Sequence, residues 1–302
     1  MSATIHSQVV DLDGFIPRVV SHDREEKDME NLLPWVFQES EIVKEECLDD
    51  WPVQDSKFTF FFKELIDYYT EFDPRGPDLA AMSMREEIVL PRKSWAGSKM
   101  DPARSMIRSQ GLILRLLMLD IYRSLEGVRG QGVEIRFPIS ASTVKYLIGG
   151  DQYGSRPEGE VTVGPRDESL PILSYTGWFK EQTWSEFLGQ TLGIMLGQLA
   201  KNIRVQRPLQ DQEVFVIGFY GPHIHIARGC FPRATISRVH AKGCSDNEVF
   251  ELEFTRGYNL CRKDDWLEAT RALARLFRYL LSGKAEVAAM QAFLPEDVAA
   301  DV

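Results

Sequence analysis

The chain has 302 residues, 44% of them hydrophobic and 26% charged, enough to bury a substantial core in one large domain or two ordinary ones and unlike a disordered chain. Its net charge of -10 opposes non-specific attraction to phosphate backbones, which rests on clustered Lys and Arg. The longest apolar stretch, 111–122, contains Arg115 and Asp120 and is shorter than the roughly 20 residues of a membrane span, so no membrane association is expected.

The N-terminus lacks a basic segment followed by an apolar one, and the four cysteines (Cys47, Cys230, Cys244, Cys261) have no CxxC spacing. Reduced thiols and an intracellular address, cytoplasmic or nuclear, are the expectation. Residues 23–50 are acidic, with Leu32, Leu33, Trp35, Val36 and Phe37 embedded as a cluster able to dock a short helix. In 58–69 the spacing of Phe61, Leu65 and Tyr68 fits one helical face. Residues 73–76 (DPRG) read as a turn and 90–102 as a loop. Residues 1–100 are therefore expected to be an N-terminal helical extension packing on a core formed by 101–302.

From Asp101 the pattern strengthens. Asp101-Pro102 has the form of an N-cap with proline at the first helical position, opening a helix to about Leu125 that is apolar around nearly its whole circumference and belongs inside. Strand candidates follow at 133–139 and 160–163, separated by a Gly-rich connection, 149–159. Residues 170–176 (LPILSYT) read as a short apolar strand and 184–199 as a helix carrying Gln190; 213–232 read as a hairpin turning at Gly221-Pro222. Phe250, Leu252 and Phe254 alternate with Glu251 and Glu253, describing a strand with one wet face. The last strong element is a helix capped by Asp264 or Asp265, with Trp266, Ala269, Leu273, Leu276 and Leu280 in its buried stripe and Gly283 after its end. Arg271, Arg275 and Arg278 are expected on its outer side.

The order of strand 170–176, Gln-bearing helix and hairpin resembles the core of the restriction-endonuclease-like, or PD-(D/E)XK, nuclease superfamily. The resemblance spans about residues 103–282 and implies an α/β fold with a central mixed sheet flanked by helices. It also implies an acid at the start of one strand, then an acid and a lysine two positions apart on the next. Strand alternation puts those two on one face, where they reach a divalent ion and the attacking water. The first acid aligns with Glu158 or Glu160, the candidate metal ligands. The second pair aligns with Ser174 and Thr176, which carry no charge.

Two functions follow as expectations. The first is a catalytically degenerate nuclease-like domain that works by binding, to a protein partner before nucleic acid, with no cofactor. The alternative is an active Mg²⁺-dependent nuclease with a relocated site built from Glu160, Lys180 and Glu186, with Gln190 positioning water or backbone. In the plainer reading Lys180, Glu181 and Glu186 are solvated residues at a helix start, where acids are favourable anyway. Tyr175, Trp178, Phe179 and Trp184 cluster at the same place; they can stack bases, anchor a partner or fill the core. His223 and His225 form an HxH pair that lacks a third ligand, so no zinc site is expected. Gly189, Gly193 and Gly197, four apart on one helix, make a smooth stripe suited to close packing.

Overall fold

The computed structural model describes residues 2–71, 85–91, 104–128, 133–139, 143–178, 182–205, 208–245 and 248–294. The turn expected at 73–76, the Asp101-Pro102 cap and most of the loop at 90–102 lie outside them, as do Phe179, Lys180 and Glu181. The N-terminal elements are β1 (Ser2–Val9), α1 (Leu12–Phe15), α2 (His22–Leu32), α3 (Val36–Glu39), α4 (Glu46–Asp49), α5 (Thr59–Glu71) and β2 (Arg85–Pro91). Then come α6 (Arg104–Ser124), β3 (Ile135–Arg136), β4 (Val144–Ile148), β5 (Asp151–Ser155), β6 (Gly159–Val163), β7 (Leu170–Gly177) and α7 (Trp184–Asn202). The chain continues through β8 (Gln212–Tyr220), β9 (His223–Phe231), α8 (Arg233–Lys242), β10 (Glu248–Phe254), β11 (Tyr258–Asn259), α9 (Lys263–Leu281) and α10 (Ala288–Phe293).

Among the described residues nine strands form one open mixed sheet in the order β2-β1-β10-β9-β8-β7-β6-β3, with β11 pairing beside β9. The fold is α/β. The parallel pair β7 and β8 is joined through α7, and both strands are buried at every position, as strands covered on two faces must be. The hairpin β8-β9 turns where expected, with Gly221 at φ +53° supplying the left-handed conformation. Strand β10 alternates as expected, Phe250, Leu252 and Phe254 facing in.

Two expectations need correction. The first hundred residues are not purely a helical extension: β1 runs parallel to β10 and β2 antiparallel to β1, so this segment supplies two strands of the sheet. The period-2 signal of β1 is weak because its inward positions read Ala3, Ile5 and Ser7, only one of them strongly apolar. The Gly-rich connection at 149–159 holds the turn and second strand of the antiparallel hairpin β4-β5, turned by Gly149 and Gly150 at φ +61° and +86°.

Helices cover both faces. On one lie α2, α5, α6, α9 and α10, sharing a core of Phe37, Phe61, Leu117, Trp266 and Phe277. The other face carries α7 and α8, with a second core of Leu188, Leu192, Met195, Val216 and Phe250. The glycine stripe of α7 works as its spacing suggests: a methyl group on Gly197 would lie 2.2 Å from Val144, and Ser155 Oγ donates to the Gly193 carbonyl, so the β4-β5 hairpin sits directly on the helix. No helix of the described residues is long and apolar enough to cross a membrane.

The arginines of α9 are also misplaced by the sequence pattern. Arg275 is only 4% exposed and bonds Glu25 and Asp13; Arg278 bonds Asp28, and Arg271 pairs with Glu26. The acidic run at 23–32 forms α2, capped by Ser21, and lays its carboxylates along this second face of α9. The N-cap of α9 is Arg262; Asp264 and Asp265 sit in its first turn, with Asp265 accepting from the backbone of Asn259.

Candidate functional site

The site expected from the sequence lies where β6, β7 and α7 meet. Register places Glu160 directly opposite Ser174, and both side chains face α7. Glu160 is 4% exposed, with Lys201 Nζ 4.0 Å from its carboxylate. Ser174 Oγ donates to Gln198 Oε1 at 2.8 Å. One turn-pair nearer the helix start, Gln190 Nε2 donates to Thr176 Oγ1 at 2.6 Å and Gln190 Oε1 accepts from Gln182 at 2.7 Å. Asn202 completes the row by donating to the Pro171 carbonyl. The hydroxyls of Ser174 and Thr176 thus serve as hydrogen-bond partners for the amides of α7. These bonds offset part of the cost of burying polar groups between helix and strand, while Gln198 Nε2 and Asn202 Oδ1 stay buried without a hydrogen bond.

Glu186 does something else. It is exposed and forms a capping box with Thr183: Thr183 N donates to its carboxylate at 2.9 Å, while Glu186 N donates to Thr183 Oγ1. Glu186 and Lys201 are fifteen residues apart on α7, about 22 Å along the axis. Glu160, held near Lys201, and Glu186 therefore sit toward opposite ends of the helix, and the structure does not bring them together; Lys180 is outside the described residues. Among those residues no group of three or more His, Cys, Asp or Glu side chains could hold a metal ion, Glu158 and Glu160 included.

Glu158 enters β6 from a half-buried position against α6, where the Gly111 Cα gives its backbone room; a methyl group there would lie 2.7 Å from the Glu158 carbonyl. Burial pushes the Glu158 carboxyl up to about 7, with Arg156 pulling weakly the other way. The folded state therefore binds this proton more tightly than the unfolded chain. Its contribution is favourable at low pH and is lost as pH rises toward and past 7. Glu158→Gln is expected to leave stability unchanged at pH 4 and to raise it by about 2 kcal/mol at pH 8, measured by urea denaturation at both pH values. Equal effects at the two pH values would show that the carboxyl is solvated.

The aromatic cluster is packed. Tyr175 and Trp178 are buried: the Tyr175 ring covers Gly159, its cross-strand neighbour, and Trp178 lies 5.4 Å from Trp184, 5.2 Å from Phe187 and 5.2 Å from Tyr220. Trp178 Nε1 donates to the Gln182 carbonyl at 2.7 Å. Trp184 is half-buried and meets Phe187, His225 and Phe254. Trp178 and Trp184 fasten the start of α7 to the sheet, while Tyr175, between Ser174 and Thr176, is buried on the opposite face of β7; these rings offer no open face for a base or a partner side chain, Trp184 partly excepted. His225 belongs to the same packing, over Gly218, and burial lowers its imidazole to about 3, so it is neutral at ordinary pH. Its HxH partner His223 is only half-buried.

The feature that sequence reasoning missed is an apolar crevice on the α7-α8 face. Leu147 and Ile148 of β4, Leu196 of α7, Ile203 just after it, and Ile236 and Val239 of α8 line it, over Phe231 and Phe250 of the sheet. The tip of the β4-β5 hairpin closes one end, Gly149 N donating to the Val239 carbonyl of α8. The signal lay in the Gly149-Gly150 pair, which turns a hairpin where a connection was expected. No protein-family model and no curated protein matches the chain.

Proposed function

We propose that this chain is a binding module on a nuclease-like α/β frame whose catalytic position has been closed, and that it acts on a protein partner. The observation that carries the reading is the fate of the β6-β7 face. The carboxylate best placed to hold a metal, Glu160, lies beneath α7 beside Lys201, while the hydroxyls at the two remaining positions are engaged by Gln198 and Gln190. A phosphodiester would have to displace α7 to reach it. Metal catalysis needs an open position for water and substrate, and this face has a helix there instead.

The test is direct. The purified protein, incubated with single- and double-stranded DNA and RNA in Mg²⁺ or Mn²⁺, is expected to give no cleavage above a no-protein control. Cleavage that depends on the metal and disappears in Glu160→Gln would overturn the reading. Glu160→Gln is instead expected to act on stability alone, lowering it by about 1–3 kcal/mol because Lys201 loses its counter-charge at the edge of a buried site. Urea denaturation checks this.

A further inference from the structure

The crevice between the β4-β5 hairpin and α8 combines two features that are independent of each other. Its lining is aliphatic and aromatic, with Thr235 and His240 as the polar groups at its margin. Its surroundings are basic, in a chain whose total charge is -10. Exposed Lys145 lies on the same side of β4 as Leu147, two residues away; exposed Arg204 follows the lining residue Ile203. Arg233 and Lys242, both exposed, bracket the lining residues of α8.

Two of the acidic groups nearby are paired with cations. Glu248 is held by Arg238 in a bidentate pair, Glu160 lies beside Lys201, and Asp211 accepts from the Arg233 backbone. Asp151 faces Ile148 across the hairpin. Among the described residues, no ion pair engages Lys145, Arg204, Arg233 or Lys242. Lys145, Arg204, Arg233 and Lys242 outnumber the rim carboxylates Asp151 and Asp211, and an apolar recess with such a cationic excess is complementary to a segment that carries one apolar side chain and negative charge on both sides of it. Burial of the anchor supplies most of the affinity, and the rim charges orient the segment and speed its encounter.

We propose that this crevice docks an acidic peptide segment of a partner protein through a single aliphatic or aromatic anchor side chain. The proposal rests on the binding-module reading and names the surface and the partner chemistry. The hairpin gives the surface its form: β4 is fixed to α7 through the glycine stripe and to α8 through Gly149, so the recess is preformed and little ordering is required on binding.

Phage-displayed random dodecapeptides, selected against the immobilised full-length chain, provide the test. The expected outcome is enrichment of peptides rich in Asp and Glu around one Leu, Ile, Phe or Trp, with binding that weakens as salt rises. Two variants locate the site. Ala200→Trp fills the recess from α7, where Ala200 is half-buried. The double variant Arg204→Glu with Lys242→Glu reverses two exposed rim charges and leaves the interior untouched, so it keeps the test decisive if the tryptophan variant fails to fold. Each is expected to lower the affinity of the enriched peptides about tenfold or more. Enrichment of basic or uncharged peptides, no enrichment, or acidic peptides that bind the double variant equally well would each overturn the proposal. Binding of dodecanoate in the recess without peptide enrichment would do the same. Failed selection alone sinks this docking site; failed selection together with Glu160-dependent nucleic-acid cleavage sinks the underlying reading as well.

Discussion

Arg278→Ala is expected to destabilise the protein by about 3 kcal/mol, the cost of leaving a buried carboxylate without its main partner. Asp28 on α2 is 1% exposed and receives two bonds from the Arg278 guanidinium, at 2.6 and 2.7 Å. Its other cationic neighbour, Arg24, stands 3.6 Å away and is already committed to Glu126. Removing Arg278 therefore strands Asp28 in a place where neither water nor a second close cation can replace what was lost. The effect belongs toward the low end of the usual range because Arg24 remains. Urea denaturation followed by far-UV circular dichroism measures it, and a loss below 1 kcal/mol would mean that water reaches Asp28. The paired replacement Asp28→Leu with Arg278→Met is expected to recover most of the stability, since an apolar pair of similar volume carries no desolvation cost.

That interface shows where sequence reasoning reaches its limit. Periodicity gave the buried stripe of α9, because Trp266, Leu273 and Leu280 recur at helical spacing and are all buried. It gave no means to tell a solvated arginine from one covered by another helix. The two partners Asp28 and Arg278 are 250 positions apart, and an acidic run reads as solvated unless its counter-charges are known. The strands β8, β9 and β10 were legible for the opposite reason: β8 is a short apolar run, β10 alternates, and the hairpin turn between β8 and β9 is local. At the candidate site the helix glutamine was found but its role was not; Gln190 bonds Thr176 because strand and helix are stacked by the β7-α7-β8 crossover. Glu186 fits the plainer of its two readings, an acid at a helix start. Thr183 and Glu186 stand at capping-box spacing immediately before an apolar run, a local signal that explains the carboxylate without any active site.

Trp266→Ala is expected to cost about 4 kcal/mol, more than Arg278→Ala. The side chain is completely buried, with ring centroids 5.0 Å from Phe58 and Phe62, 5.6 Å from Phe61 and 5.9 Å from Phe37, so its removal leaves a cavity walled by rings from α3, α5 and the segment before α5. Its Nε1 also donates to the Leu32 carbonyl at the end of α2, which would be left unpaired in an apolar setting. A further consequence falls on Phe58, which has φ +61°, a conformation that costs a non-glycine residue about 1–2 kcal/mol and persists where packing over-determines it. The edge-to-face contact with Trp266, at an interplanar angle of 84°, is part of that packing. Trp266→Phe separates the contributions: it keeps most of the ring contacts and loses the hydrogen bond, and is expected to cost about half as much. Denaturation midpoints and slopes of the two variants check the order. A tryptophan-to-alanine loss below 2 kcal/mol would mean that the N-terminal helices close over the gap.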